Sequence, residues 1–363
     1  MSNPLKKLED YGQSPWIDMI SREMLDSGTL ERMIREDGLK GLTSNPSIFD
    51  QAISSGKDYD PVLEKALAEG IREPKGLFER MAIADIRDAA DALKPVYEAS
   101  GGADGYVSLE VSPQLAFDTP QTIAEGKRLF KEVGRPNLMI KVPATKEGLP
   151  AVTELLASGV NVNVTLIFAI ERYRQVMEAY LAGVERLATD GGRPDSAASV
   201  ASFFVSRIDV AVDKQLPEGS PLRGKTAVAN AKLAYRAYKE VFGAKRFLAL
   251  KEKGARVQRP LWASTSTKDP KYSDVLYIDS LIGPDTVNTI PPKTWDAFRD
   301  HGKTANTLEA GVDQAEKVFA DLKAAGVDLK AITDKLEADG VASFAKSFES
   351  LLHHLEDKAK ALA

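Results

Sequence analysis

The sequence predicts an α/β chain folded as a (β/α)8 TIM barrel, and two features carry that prediction. Eight short apolar, β-branched segments recur with helix-like stretches between them. Several of the eight are apolar on both faces, as strands covered on both sides of a sheet should be. The first segment is "PWIDMI" (15–20), followed by a helix-like stretch over 21–36, and the second is "GLTSNP" (41–46). A helix-like stretch over 76–99 leads to "GYVSLEV" (105–111), and another over 120–133 leads to "NLMIKVP" (137–143). The fourth segment is framed by "GRPN" and "TKEG", which read as turns. "VNVNVTLIF" (160–168), a helix over 169–189, "ASVASFFVS" (198–206) and a helix over 225–253 continue the alternation. "RPLWAST" (259–265) and "VLYIDSLIG" (275–283) complete the eight, with "STKDPKYSD" between them too short for a full helix.

After residue 305 the pattern becomes helical. In "GVASFAKSFESLLHHLEDKAKALA", Val341, Phe344, Phe348, Leu351, Leu352 and Leu355 share one face. The expectation is a single domain over 1–363: a barrel over about 12–305, with helices over about 306–363 packed on it. The 363 residues exceed a typical barrel of about 250, and the excess sits mainly in 47–104 and the helical tail.

Composition narrows the chemistry. A net charge of −5 gives no general attraction to nucleic acid or anionic lipid. No apolar run approaches the ~18 residues needed to span a membrane, and the N-terminus carries no apolar signal core, so a cytoplasmic location is expected. With no cysteine, thiol catalysis, disulfides and thiolate metal sites are excluded. The three histidines, His301, His353 and His354, all fall late in the chain. His353 and His354 are adjacent on a helix and face different directions, which disfavours metal ligation. Catalysis must then come from Lys, Asp, Glu, Tyr or a bound cofactor.

One motif points elsewhere. Residues 219–226 read "GSPLRGKT", a literal G-x-x-x-x-G-K-[ST] phosphate loop. Such a loop must leave a buried strand directly, so that its amides and the next helix converge on phosphate. Here the preceding "DKQLPE" is polar and the nearest apolar run ends at Val212, so the segment reads as a helix-to-helix connection. The sequon "NVT" (163–165) lies inside a strand and reads as no glycosylation site.

Lys141 is the informative residue. It interrupts an apolar strand, with Leu138, Ile140 and Val142 on the opposite face. It is either a lysine at a solvent-exposed mouth or an amine desolvated to attack a carbonyl. The other strands favour the second reading. Asp18, Asn45, Glu110, Asn163, Thr165, Ser202 and Arg207 place polar groups in or beside five of them, and Ser264 adds another. In a barrel these groups would meet at the C-terminal mouth. A lysine there can form a Schiff base with a ketone, while Asp18 and Glu110 move protons. Arg207, Ser264, Ser266 and Lys268 can hold a phosphate dianion.

With those residues in place, "GLTSNPSIF", "VSLEV", "NLMIKVPAT", "NVNVTLIF", "SFFVSRID" and "WASTS" resemble a transaldolase, in order and over essentially the whole chain. The resemblance implies a circularly permuted class I aldolase barrel whose Schiff-base lysine, Lys141, lies on the fourth strand. It implies that Asp18 is the acid-base group for bond cleavage and that Glu110 and Thr165 hold a catalytic water. Asn45 and Asn163 would bind substrate hydroxyls, Ser202 and Phe204 would line the substrate site, and Arg207 and Ser264 would bind phosphate. Many transaldolases have arginine where this chain has Ser266, and Lys268 stands in for that charge.

The implied reaction moves a dihydroxyacetone unit from sedoheptulose 7-phosphate to glyceraldehyde 3-phosphate, giving erythrose 4-phosphate and fructose 6-phosphate in the non-oxidative pentose phosphate pathway. No metal or organic cofactor is implied, and the partners are phosphorylated sugars, with a homodimer compatible with the sequence. The nearest alternative is a fructose-6-phosphate aldolase, which resembles this chain but carries glutamine at the Glu110 position and tyrosine at the Phe204 position. Glu110 and Phe204 favour transfer.

Overall fold

The computed structural model describes residues 3–54 and 56–362. Its centre is a closed barrel of eight parallel strands in chain order. These are β1 (Gln13–Asp18), β2 (Gly41–Thr43), β3 (Tyr106–Glu110) and β4 (Leu138–Pro143), then β5 (Val162–Ile167), β6 (Ser199–Phe204), β7 (Arg259–Ala263) and β8 (Thr286–Ile290). Every residue of β2, β4, β5, β6 and β8 is buried, as expected for strands with helices outside and a packed interior inside. The register sets the polar residues at one rim. Asp18 lies opposite Thr43, Glu110 opposite Lys141, Lys141 opposite Asn163, and Phe204 opposite Ala263.

The eighth strand differs from the sequence expectation. Residues 275–283 contain a helical turn, Leu276–Asp279, and no strand. Its apolar residues Tyr277, Ile278, Leu281 and Ile282 are all buried at a spacing that suits a turn of helix as well as a strand. The strand is "TVNTI", which closes the barrel against β1 and β7. Its polar residues are buried, which hides the segment from an apolar pattern, and most of their polar atoms find partners in the barrel while Asn288 Nδ2 finds none among the described residues. Thr286 Oγ1 accepts from Gln13 Nε2 at 2.9 Å and donates to the Gly283 carbonyl at 2.6 Å. Asn288 Oδ1 accepts from Thr265 Oγ1 at 3.0 Å.

Two expected helices are interrupted. The stretch over 21–36 breaks at Ser27–Gly28 into Arg22–Asp26 and Thr29–Arg32, and a π-helical turn follows over Met33–Asp37. The stretch over 225–253 breaks at Gly243–Ala244 into Thr226–Phe242 and Lys245–Lys251.

The helical tail comprises Val312–Ala324 and a long helix, Leu329–Leu362. The long helix runs across the C-terminal mouth of the barrel, packing on the Pro46–Ser54 helix, the Pro74–Ala99 helix and β5. Its apolar face matches the sequence reading: Val341, Phe344, Phe348, Leu351 and Leu355 are buried, and Leu352 is half-buried. Polar ties hold it along its length. Arg172 forks onto Glu337 at 3.0 and 3.2 Å, Ser47 Oγ donates to Ser347 Oγ at 2.8 Å, and Lys358 Nζ donates to Asp60 Oδ1 at 2.9 Å.

The phosphate-loop look-alike is a connection between the Ser206–Asp213 and Thr226–Phe242 helices. Carboxylates of the preceding helix take amides at its C-terminal side, and carbonyls of the loop take those of Arg223 and Lys225. Gly224 N donates to both oxygens of Asp213, at 3.0 and 3.2 Å, and Ala227 N donates to Asp209 Oδ1 at 2.7 Å. Asn163 and Thr165 of the sequon are fully buried in β5.

Candidate active site

β4 delivers Lys141 into the barrel mouth, where its residue is only 4% exposed. An ammonium there must find partners. Nζ donates to the Ser44 carbonyl at 3.1 Å, lies 4.0 Å from Glu110 Oε2, and faces the Phe344 ring with its centroid 5.7 Å away. The solvent-exposed reading of Lys141 is therefore not met. Ser44 directly follows β2, so the short β2 strand places that carbonyl over β4.

A cavity of about 280 Å³ opens beside Lys141. Asp18, Thr43, Thr165, Ser202, Phe204 and Thr289, from five further strands, line it together with Asn45. Arg207, Ser264, Ser266 and Lys268 line its other end. Asp18 Oδ1 accepts from Thr43 Oγ1 at 2.6 Å, and Thr43 Oγ1 lies 2.6 Å from Thr289 Oγ1. Burial raises the Asp18 pKa above its ordinary value, opposed by Lys141, the Thr43 hydrogen bond and Arg207. Glu110 ends β3 and is pushed up to about 7 by burial, with Lys141 pulling down and Asp18 pushing up. A carboxyl with that value exchanges protons readily near neutral pH. Glu110 Oε2 and Thr165 Oγ1 are buried without a hydrogen-bond partner among the described residues.

Deeper in the barrel, Ser202 Oγ donates to Asn163 Oδ1 at 2.7 Å and Asn163 Nδ2 donates to Ser108 Oγ at 3.0 Å. This chain fixes the amide orientation beside Lys141, its register neighbour. Asn45 sits two residues beyond β2 and accepts from Ile48 N at 3.0 Å, capping the helix over 46–54.

The far end is cationic. Arg207 lies in the first turn of the Ser206–Asp213 helix, with its guanidinium carbon 5.1 Å from the Phe204 ring centroid. It makes no hydrogen bond or ion pair among the described residues, and burial lowers its pKa. Ser264 holds a left-handed φ of 57° just after β7, and its Oγ lies 2.9 Å from Ser206 Oγ. Lys268 Nζ donates to Ser266 Oγ at 2.7 Å, and its pKa is lowered by burial and by nearby Arg207.

The structure thus brings eleven of the twelve residues singled out from the sequence around one cavity or into contact with Lys141, while Asn163 supports it from the layer below. Sequence reasoning missed Thr43, the Ser44 carbonyl, Thr289 and Phe344 as site components. Thr43 stood inside the quoted "GLTSNP", and the β-branched alternation of "TVNTI" is the signal that could have located Thr289.

The chain matches known proteins along nearly its whole length. The family model described as Transaldolase/Fructose-6-phosphate aldolase matches residues 15–355. A transaldolase of Thermobifida fusca is 49% identical over 99% of this chain and all of its own length. A transaldolase of Saccharopolyspora erythraea is also 49% identical, over 98% of this chain and 97% of its own. "Transaldolase 2" of a Nostoc species is 46% identical over 99% of both chains.

Proposed function

The chain belongs to the transaldolase/fructose-6-phosphate aldolase family and catalyses the transaldolase reaction, and from that premise we propose how its residues divide the work. Lys141 attacks the ketone carbon of the donor sugar, and the carbinolamine loses water to leave a Schiff base. Glu110, with its pKa near neutrality, exchanges the protons of those steps through a water held with Thr165. Asp18 takes the proton from the donor's C4 hydroxyl as the C3–C4 bond breaks, and burial suits it to that role by raising its proton affinity.

The electron pair of the broken bond is held as an enamine until the acceptor aldehyde arrives, and Asp18 then returns the proton. Asn45 orients the sugar hydroxyls, Asn163 holds the Ser202 hydroxyl in place, and Ser202 and Phe204 wall the site. Arg207, Ser264, Ser266 and Lys268 receive the phosphate. A cytoplasmic location and a homodimeric assembly belong to the same proposal. A chain without cysteine draws nothing from an oxidising compartment.

The observation that carries this reading is a buried lysine amine 4.0 Å from a buried carboxylate, beside a cavity also lined by an arginine that has no hydrogen bond or ion pair among the described residues. Borohydride reduction in the presence of fructose 6-phosphate, followed by peptide mapping, should place a covalent adduct on Lys141 and nowhere else. Lys141→Arg should abolish both adduct and turnover, because a guanidinium keeps the charge but is not a nucleophilic amine. An adduct on another lysine, or normal turnover in that variant, would overturn the assignment.

A further inference from the structure

We infer that Phe344, on the C-terminal helix, decides whether the three-carbon unit held on Lys141 is transferred or hydrolysed, by keeping water away from it. The inference rests on the transaldolase reading. Once the first aldehyde leaves, the enamine has two fates. It can add to an acceptor aldehyde, forming the new carbon–carbon bond. Alternatively, its terminal carbon takes a proton to give the iminium, and water then adds at the C=N carbon with loss of a proton. The carbinolamine collapses by cleavage of its C–N bond, releasing dihydroxyacetone and the lysine amine. The second route needs nothing beyond proton exchange and a water that reaches the C=N carbon in addition to the one held by Glu110 and Thr165, so the access of further water to Lys141 sets the partition.

Four observations place Phe344 at that control point. Its ring centroid is 5.7 Å from Lys141 Nζ, and the residue is only 6% exposed while lining the same cavity as Asp18. One turn earlier, Gly340 lets the helix approach the barrel closely. A Cβ at that position would lie 2.9 Å from Leu166 Cδ2 and 3.7 Å from Arg207 Nη1. Leu166 itself sits where the β5 register shifts, with a left-handed φ of 62° that costs a leucine energy and needs surrounding packing to persist. One turn later, Phe348 packs edge-on against Phe78 at 5.4 Å and lines a small cavity beside Glu110. Gly340, Phe344 and Phe348 therefore form one i, i+4, i+8 stripe. The small residue permits contact, one ring covers the amine, and the next closes the space beside the carboxylate.

The test uses the full-length protein with fructose 6-phosphate, with and without erythrose 4-phosphate as acceptor. Free dihydroxyacetone reports hydrolysis, and sedoheptulose 7-phosphate reports transfer. Phe344→Ala should raise the ratio of hydrolysis to transfer about tenfold, a change of one decade in relative rate, and Phe344→Leu should fall between. Gly340→Ala keeps the ring and improves helix propensity, but makes either the helix or the Leu166 side chain shift, so it should raise the ratio by less than Phe344→Ala. The borohydride adduct on Lys141 should persist in all three variants. Loss of both rates with an unchanged ratio would overturn the inference and leave the transaldolase reading intact. Absence of the adduct from the unsubstituted protein would instead overturn that reading, and this inference with it.

Discussion

Two cations stand at the phosphate end of the cavity with little to hold them there. Arg207 has only the Phe204 ring beneath it, and Lys268 has the Ser266 hydroxyl. Each is kept from its ordinary pKa by burial, and Lys268 also by Arg207. A phosphate dianion of about two negative charges would relieve both. Hydrogen bonds to charged groups contribute roughly 1.5–3 kcal/mol, so Lys268→Ala should raise the KM for phosphorylated donors on the order of ten- to a hundredfold. Ser266→Arg should partly restore it, and steady-state kinetics with phosphorylated and unphosphorylated ketoses checks both. An equal penalty on both substrates would mean that Lys268 is structural. Lys141 was legible in the sequence because a charge inside an apolar strand demands a reason. Phe344 was legible only as a core position, since nothing local says that the helix face it occupies lies over a lysine 203 residues earlier.

Among the elements, strands whose apolar residues do the packing were found to within a few residues, and β8 was not. "TVNTI" bonds Thr286 Oγ1 and Asn288 Oδ1 to Gln13 on β1 and Thr265 just after β7, partners that do not exist until the barrel closes. The loop over 219–226 shows the reverse case. Its motif matches a phosphate cradle letter for letter, yet Asp213 takes the Gly224 amide and Asp209 the amide of Ala227 just past it. Lys225 stands at the start of the Thr226–Phe242 helix as an exposed residue. Lys225→Ala should therefore change turnover less than about threefold, or ~0.7 kcal/mol of barrier. Saturable ATP binding lost in that variant, measured by calorimetry, would show that the loop does bind nucleotide.

For the whole molecule, buried carboxyls set an unusual pH dependence. Burial raises Glu110 to about 7, Asp85 to about 6 and Asp209 to about 6, and it also raises Asp18. Unfolding returns all of them to ordinary values near 3.8–4.5. Between those limits the folded state binds more protons than the unfolded state, so stability falls as pH rises from about 4 through about 7. Exposed carboxylates held low by arginine or lysine, such as Asp91 and Glu154, lose their contribution only at more acidic pH. The melting temperature should accordingly be higher near pH 5 than near pH 8, and thermal unfolding across that range checks the sign. By itself the sequence determined the barrel and the count of its strands, and it singled out Lys141 and most of the groups that the fold gathers around it. Strand periodicity and charges in apolar runs are local facts that survive without a fold. The position of β8, the carboxylates that take amides beside the phosphate motif and the ring over Lys141 were decided only in three dimensions. Each depends on a partner distant in the chain that satisfies, fills or covers a group the local sequence leaves open.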